Sequence, residues 1–579
     1  MKHTALFLVA QLASLLPLAA ADWTTTQWDA IVVGAGPAGI IVATRLAEAN
    51  LNTLLLEGGG PSYGVTGGDL ASRRPSWLNN TDLTRVDVPG LYSSIFGDGG
   101  GLICSGTINA YGGQGNNEIT VFSKDLRESS DSGGAGSLGQ FDTIGGGSAI
   151  NAGLYFEPPA SDWDSFFPNG WKAADMVGAT ERVKARAPYT DSPSANGIQY
   201  LQSGYDVVRR WIVDSLGFAD VKINENKDNK LDVFGRPVYG YEDGQRAGPV
   251  ATYLQDALKL PNFHLQSGTR AVRVQRNGQV ATGVWVLVNG VETLVPLSNT
   301  GRVVISAGAI ATPGFLMFSG IGPQDELSRL SAAGKLGNLT QEDWISNAAV
   351  GANLFDNPNT FIELSSPNIT AFAPSYDNPA PADSALYLDH RSGPYATAGQ
   401  TSVFFSRASQ PDGRIVGFQG TIGTGGYADY TNSTTITLNI YGTSGLASRG
   451  SVVLDGSFIP GPDGNVYYSA APDASAIAGF IARIFAKLPA DVQTLNLARD
   501  ASAAAIEQYI TTPSAYARGQ VNHWSGSCKI GACVDEAGRV LGTGNMWVAD
   551  ASLLEPLSVN PMFGVMTVGE KVAESILGA

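Results

Sequence analysis

Apolar positions along the chain fall into short blocks. Ala30-Ile31-Val32-Val33 is an unbroken apolar run, suited to a strand buried on both faces. A glycine turn follows, then a helix-periodic segment from Ile40 to Ala49 and a second run, Thr53-Leu54-Leu55-Leu56. This order predicts a βαβ unit. Val303-Val304-Ile305-Ser306 and Met546-Trp547-Val548-Ala549 have the same character and are expected to be further strands of that sheet.

Between these blocks, residues 157–244 and 346–514 are rich in Tyr, Phe, Thr and Asn. They alternate with period two, as in Thr435-Ile436-Thr437-Leu438-Asn439-Ile440. The pattern predicts an α/β protein of two interleaved domains. The first takes residues 27–156, 245–345 and 515–579, and the second takes 157–244 and 346–514 as antiparallel sheet plus helices. The polar segment 114–142, with Ser129-Ser130-Asp131-Ser132-Gly133-Gly134, fits neither pattern and reads as an atypical insertion, either a loop or a retained intron. The 71 glycines are spread along the chain and imply tight turns; no solenoid repeat is visible.

The N-terminus changes the picture of where the protein works. Met1-Lys2-His3, an apolar run from Ala5 to Leu18, and Ala19-Ala20-Ala21 before Asp22 form the three-part pattern of a secretory signal. The run is shorter than the roughly 18 to 20 residues of a membrane span, and no later stretch qualifies, so export with cleavage near Ala21 is expected and no membrane contact. Acceptor sequons at Asn79, Asn338, Asn368 and Asn432 fit a secreted glycoprotein. The 579 residues carry a net charge of −16, which disfavours nucleic acid as a partner. Of three cysteines, Cys528 and Cys533 could pair and leave Cys104 over, although spacing alone does not fix a bridge.

Candidate chemistry begins at Gly34-Ala35-Gly36-Pro37-Ala38-Gly39. This is GxGxxG after a strand and at the opening of a helix, where backbone N–H groups and the helix N-terminus receive a pyrophosphate. Glu57 ends the second strand about twenty residues on, where a carboxylate binds ribose hydroxyls. An ordinary turn followed by a surface Glu is the competing reading, and the motif does not choose between FAD and NAD. A second glycine turn, Gly145-Gly146-Gly147-Ser148-Ala149-Ile150-Asn151, allows close approach to a flat ring or phosphate.

Together with Leu55-Leu56-Glu57, Arg246-Ala247-Gly248-Pro249-Val250-Ala251-Thr252-Tyr253-Leu254, Ser306-Ala307-Gly308-Ala309, Ser319-Gly320-Ile321-Gly322-Pro323, Asn522-His523-Trp524, Asp550-Ala551 and Asn560-Pro561, these pieces occur in family order. From about Trp28 to Leu577 the chain resembles the glucose-methanol-choline (GMC) oxidoreductases, most nearly the flavin domain of the fungal cellobiose dehydrogenase type. The resemblance implies a Rossmann-like FAD-binding domain with an interleaved substrate domain. It also implies that Gly34, Gly36, Gly39 and Glu57 hold the ADP half of FAD. Gly146, Gly147, Ser148 and Asn151 would then face the flavin, Asp550 and Ala551 would meet the pyrophosphate and ribityl region, and the Val272 backbone would touch the adenine.

By the same resemblance, His523 takes the base position and Asn560 orients the substrate, with Pro561 opening a final helix over Met562 to Leu577. A neutral imidazole suits a base that removes a hydroxyl proton while hydride passes to the flavin. The other histidines are weaker candidates: His3 leaves with the signal, His264 lies in an exposed-looking Pro261-Asn262-Phe263-His264, and His390 sits in a turn. No His occurs between residues 3 and 264, so FAD is expected to be noncovalent. No haem domain is expected ahead of the first strand, and electrons would pass to oxygen, a quinone or a separate redox protein. The expected activity is oxidation of a small-molecule alcohol or sugar, with a sugar lactone as product. The alternatives are oxidation of an alcohol on an aromatic or polyketide secondary metabolite and an inactive secreted binding protein.

Overall fold

The computed structural model describes residues 22–68, 74–95, 143–517 and 521–578. The expected signal (1–21), Cys104 and the polar segment 114–142 lie outside the described residues.

Strands β1 (Trp28–Val33) and β2 (Thr53–Leu56) are joined by helix α1 (Pro37–Glu48). The helix starts earlier than the apolar periodicity predicts, because Pro37 is pre-organised for a first helical position and needs no hydrogen bond there. β3 (Phe263–Gln266), β4 (Arg270–Asn277), β5 (Val280–Val288) and β6 (Val291–Ile305) extend the sheet in the order β3-β2-β1-β6-β5-β4, with the strand Met546–Val548 also paired to β6. β3, β2, β1, the end of β6 and Met546–Val548 are mutually parallel. The start of β6 pairs antiparallel with β5, and β5 with β4.

Parallel strands lie under cover on both faces, which is why these runs are continuously apolar. Ile31, Val32, Leu54, Leu55, Val303 and Val304 are fully buried, each contributing roughly 1.5 to 3 kcal/mol. α2 (Gly308–Phe318) follows β6, and α3 (Met562–Leu577) closes the chain. α3 packs tightly on α1: a Cβ added to Gly569 would lie 3.0 Å from the Ala38 Cα. Beside that contact the buried Glu570 carboxylate takes Arg45, Arg182 at 2.8 Å and the Tyr253 hydroxyl at 2.8 Å, knitting α3 to three other segments.

The second sheet is built on β7 (Asn359–Ser365), β8 (Gln400–Ser409), β9 (Ile415–Thr424) and β10 (Thr435–Gly442), in the antiparallel order β7-β10-β9-β8. One face carries Ile362, Phe404, Phe418, Ile422, Leu438 and Ile440 into an apolar core with the helix Ala471–Phe485. Alternation sends Gln419, Thr421, Asn439 and Tyr441 to the other face. Gln419 lies directly opposite Tyr441 in the register, and both reach the residues that precede α3. The polar face of one sheet thereby meets the C-terminal edge of the other.

Candidate active site

The two glycine turns meet. Gly34 has φ +102°, and a Cβ there would stand 2.4 Å from the Ser306 carbonyl oxygen. Gly146 approaches Gly36 so closely that its Cβ would lie 3.1 Å from the Gly36 Cα. They form one wall of a cavity of about 280 Å³. The cavity reaches Glu57 and Thr269 on one side, and His523, Asp550, Ala551 and Pro561 on others.

Of the residues singled out in the sequence, Gly34, Gly36, Glu57, Gly146, Gly147, His523, Asp550, Ala551 and Pro561 line this cavity. Gly39 does not. A Cβ on it would sit 2.0 Å from the Gly34 carbonyl oxygen, so its bareness serves the packing of helix on strand. Ser148 turns away and donates to the Gly145 carbonyl at 2.7 Å, while Asn151 accepts from Arg246 at 2.8 Å; both hold the second glycine turn from behind. Val272 also misses the cavity wall, which takes Thr269, Arg270 and Ala271 instead. The register with β5 slips between Ala271 and Arg273, so Val272 is the bulged residue and the strand is re-aimed at that point. Pro561 caps α3 one position before the expected first turn.

The carboxylates of this cavity are well occupied. Glu57, 6% exposed, accepts from the backbone N–H of Ala35 and of Gly59, each at 2.8 Å, tying the end of β2 to the first glycine turn. Asp550 accepts from the Gly308 N–H at 2.8 Å at the start of α2, from the Thr312 hydroxyl at 2.5 Å, and from the N–H and hydroxyl of Ser552. Burial pushes its carboxyl upward despite these four donors.

His523 stands where the cavity meets the polar face of the second sheet. Its Nδ1 is 2.9 Å from Asn357 Oδ1 and its Nε2 is 3.2 Å from Asn560 Nδ2. Asn560 is itself outside the cavity wall, held from behind by Gln419 Nε2 at 2.7 Å and the Tyr441 hydroxyl at 3.4 Å on its Oδ1. Burial pushes the imidazole far below its ordinary range, to about 3, so it is neutral and keeps one ring lone pair as an acceptor. The turn carrying it is fastened by Asp356, whose carboxylate accepts from the N–H groups of Val521, Asn522 and His523 and from the Tyr467 hydroxyl. Burial raises Asp356 to about 6.

Asp356, Asn357, Gln419 and Tyr441 were not singled out in the sequence. Gln419 and Tyr441 reach Asn560 through the sheet register, whereas Asp356 and Asn357 reach His523 from the turn before β7, next to the Phe355–Ser525 bridge. The polar pair before Pro358 and a strand is a turn signal for these two alone. The remaining histidines are elsewhere. His264 belongs to β3 beside Trp23 and Trp28 instead of an exposed loop, and His390 ends a helix, Pro381–His390, instead of lying in a turn. Cys528 and Cys533 form a disulfide with Cα atoms 5.0 Å apart; the Cys528 N–H donates to Ser552 O, which ties this loop to the residue after Ala551.

The cavity fits an extended dinucleotide. Bare backbone lines its phosphate-sized wall, a carboxylate stands at the β2 end, and the α1 N-terminus opens onto it. Among the described lining residues there is one histidine, His523, and no cysteine. No described helix is long and apolar enough to cross a membrane.

Sequence comparison matches residues 55–359 and 448–569 to the two regions described as GMC oxidoreductase. An oxygen-dependent choline dehydrogenase of Pseudomonas entomophila is 26% identical over 52% of this chain, and the chain spans about half (50%) of the length of that relative. Among solved structures, a variant formate oxidase of Aspergillus oryzae superposes with a TM-score of 0.74 at 18% identity, covering 96% of this chain and 99% of its own. A fungal aryl-alcohol oxidase gives 0.67 at 17% identity, covering 95% of this chain and 99% of its own. At such identities the structural likeness speaks for the fold.

Proposed function

The chain belongs to the GMC oxidoreductase family, and on that premise we propose that it is an FAD-dependent oxidoreductase that oxidises a neutral carbinol, with His523 as the base. The observation that carries this reading is the imidazole of His523 within hydrogen-bond reach of the amide of Asn560 at the edge of the glycine-walled cavity. Gly34, Gly36, Gly146, Gly147, Glu57, Asp550 and Ala551 would hold the cofactor, noncovalently, since no other histidine or cysteine lines the described cavity. Bound FAD supplies the hydride acceptor.

The chain's own residues supply the rest. The substrate hydroxyl donates to Nε2 of His523 and accepts from Nδ2 of Asn560, replacing the long 3.2 Å contact between them. His523 takes the hydroxyl proton as the C–H electron pair leaves with its hydrogen, and the carbon–oxygen bond becomes a carbonyl. Asn560 donates to the oxygen as negative charge collects there, and the N-terminal end of α3 adds its dipole. Burial disfavours the imidazolium, so the ring favours return to its neutral form once the product has formed.

The Asp356 carboxylate meets His523 only at its backbone N–H, and the side chains bonded to the His523 ring and the Asn560 amide are neutral: Asn357, Gln419 and Tyr441. A cationic or anionic substrate finds no counter-charge among them. Gln419, Thr421 and Asn439 on one sheet face favour a polyhydroxylated substrate, a sugar or oligosaccharide oxidised to its lactone. The Tyr441 ring, edge-on to His523 with centroids 6.0 Å apart, favours a second reading, an aromatic carbinol. Anaerobic addition of cellobiose and then of a small aryl alcohol to the flavin-loaded protein separates these readings by which one bleaches the flavin spectrum. Bleaching by neither, nor by any neutral alcohol, removes the proposal and leaves a binding protein.

The signal-like N-terminus and the exposure of Asn79, Asn338, Asn368 and Asn432 support secretion as a glycoprotein. Protein from the culture medium should begin near Asp22; retention in the cell with Met1 intact contradicts this. The electron acceptor is expected to be oxygen, a quinone or a separate redox protein, and comparison of reoxidation rates by the three tests that choice.

A further inference from the structure

The hydrogen bonds around His523 run in one direction, and a single main-chain group sets that direction. Asn357 donates its Nδ2 to the carbonyl of Gly442, the last residue of β10, at 2.8 Å. A carbonyl can only accept, so the Asn357 amide is fixed with Oδ1 toward His523 Nδ1, 2.9 Å away. That oxygen can only accept as well, and Nδ1 must therefore carry the proton. On the far side of the ring, Asn560 presents Nδ2 to Nε2 because its Oδ1 is held by Gln419 Nε2 and the Tyr441 hydroxyl. Reversing the Asn357 amide would set its oxygen against the Gly442 carbonyl oxygen and its nitrogen against the protonated ring nitrogen in a buried place, which leaves buried polar groups unpaired.

We infer that Asn357, oriented by the Gly442 carbonyl, is the positioning residue that holds His523 in the Nδ1–H tautomer and so leaves the Nε2 lone pair for the substrate hydroxyl. The inference rests on the proposed reading that His523 is the base, but the tautomer exists without any substrate. The opposite tautomer would place Nε2–H against the incoming hydroxyl and a lone pair against Asn357 Oδ1, and a base with its proton on the wrong nitrogen cannot accept another. Asn357 touches neither cofactor cavity nor reacting atoms; it acts through the imidazole.

Three variants and one spectroscopic measurement test it. Nitrogen-15 NMR of the histidine-labelled, FAD-bound protein reads the protonation of each ring nitrogen, with His523 identified by its loss in His523→Gln. The wild type should show Nδ1 protonated and Nε2 bare. Asn357→Leu, which removes the acceptor, should populate the Nε2–H form and lower kcat on the order of 10²-fold with KM nearly unchanged, the scale of a misplaced reacting group. Asn357→Asp keeps an acceptor oxygen and should retain the Nδ1–H form.

The new carboxylate in Asn357→Asp should also shift the acid limb of the rate profile to higher pH, because a negative charge beside Nδ1 favours the imidazolium. The titratable groups already facing His523 are Asp356 at its backbone N–H and the Tyr441 ring, with Tyr467 behind Asp356; none is altered in these variants. Nε2–H in the wild type, or an unchanged tautomer in Asn357→Leu, overturns the inference whatever the activity. If no alcohol reduces the flavin while the wild type shows Nδ1–H and Asn357→Leu loses it, the proposed function fails and this inference stands.

Discussion

The side-chain amide of Asn560 stands 3.2 Å from Nε2 of His523, with its oxygen turned the other way toward Gln419. A base and a hydrogen-bond donor thus address the same point in space from two different elements, one on the turn after residue 520 and one at the cap of α3. A hydroxyl placed there has its proton and its oxygen handled by separate side chains. The division of labour follows from chemistry, since an amide donates well and is too weak a base to take the proton.

Replacing Asn560 by Leu should therefore leave His523 basic and remove the donor to the developing negative oxygen. The expected loss in the rate of flavin reduction is about 10² to 10³-fold, the effect of deleting one such donor. Stopped-flow reduction under anaerobic conditions measures it. A change within threefold would mean that Asn560 only fills space.

The pH dependence follows from the direction of the His523 shift. Burial lowers its pKa from the ordinary value of about 6.5 to about 3. Only the neutral ring accepts a proton, so reduction should be level from about pH 8 to about pH 5 and should fall only in stronger acid. The folding contribution has the same sense: it is intact above the unfolded value and is lost as pH drops from there toward the folded one. Half-loss of the reduction rate near pH 6.5 contradicts a buried, neutral base.

Cofactor retention should depend on bare backbone at the first glycine turn. A Cβ at Gly34 would meet the Ser306 carbonyl carbon at 2.8 Å and its oxygen at 2.4 Å, both main-chain atoms that cannot swing aside. Gly34→Ala should yield protein with little or no flavin absorbance at normal far-ultraviolet dichroism. Full flavin content in that variant would show that the turn gives way.

The Glu570 cluster joins α3 to α1 and to Arg182 and Tyr253. Glu570→Leu removes the buried carboxylate shared by two partly exposed arginines, leaving Arg45 with Glu48 and Arg182 with Glu574 at the surface, and should cost about 1 to 3 kcal/mol. Denaturant unfolding of the flavin-loaded protein measures it, and a loss below about 0.5 kcal/mol would mean that Glu48, Glu574 and water compensate both arginines.

The parts of this architecture legible in the sequence are those written locally. Ala30 to Val33, the glycine turn and Thr53 to Leu56 lie close together in the chain, and the βαβ unit forms there. The period-two run at Thr435 became β10 for the same reason. His523 and Asn560 stood out through a family resemblance, since neither carries a local signal. Asn357 is 166 residues from His523, and Gln419 is 141 from Asn560. No pattern along the chain pairs them, because their meeting depends on the register of β9 against β10 and on where the second sheet docks. Val272 escaped for a related reason: a bulge is a property of two strands, and the sequence of one does not reveal it.

The central claim is that His523 takes the proton from the substrate's hydroxyl. Its most direct test is single-turnover reduction of the bound flavin, without oxygen, in the wild type and in His523→Ala, using whichever neutral alcohol bleaches the wild type. The variant should keep its flavin and reduce it about 10² to 10⁴-fold more slowly, the range for a lost general base. Reduction at the wild-type rate would remove His523 from the mechanism.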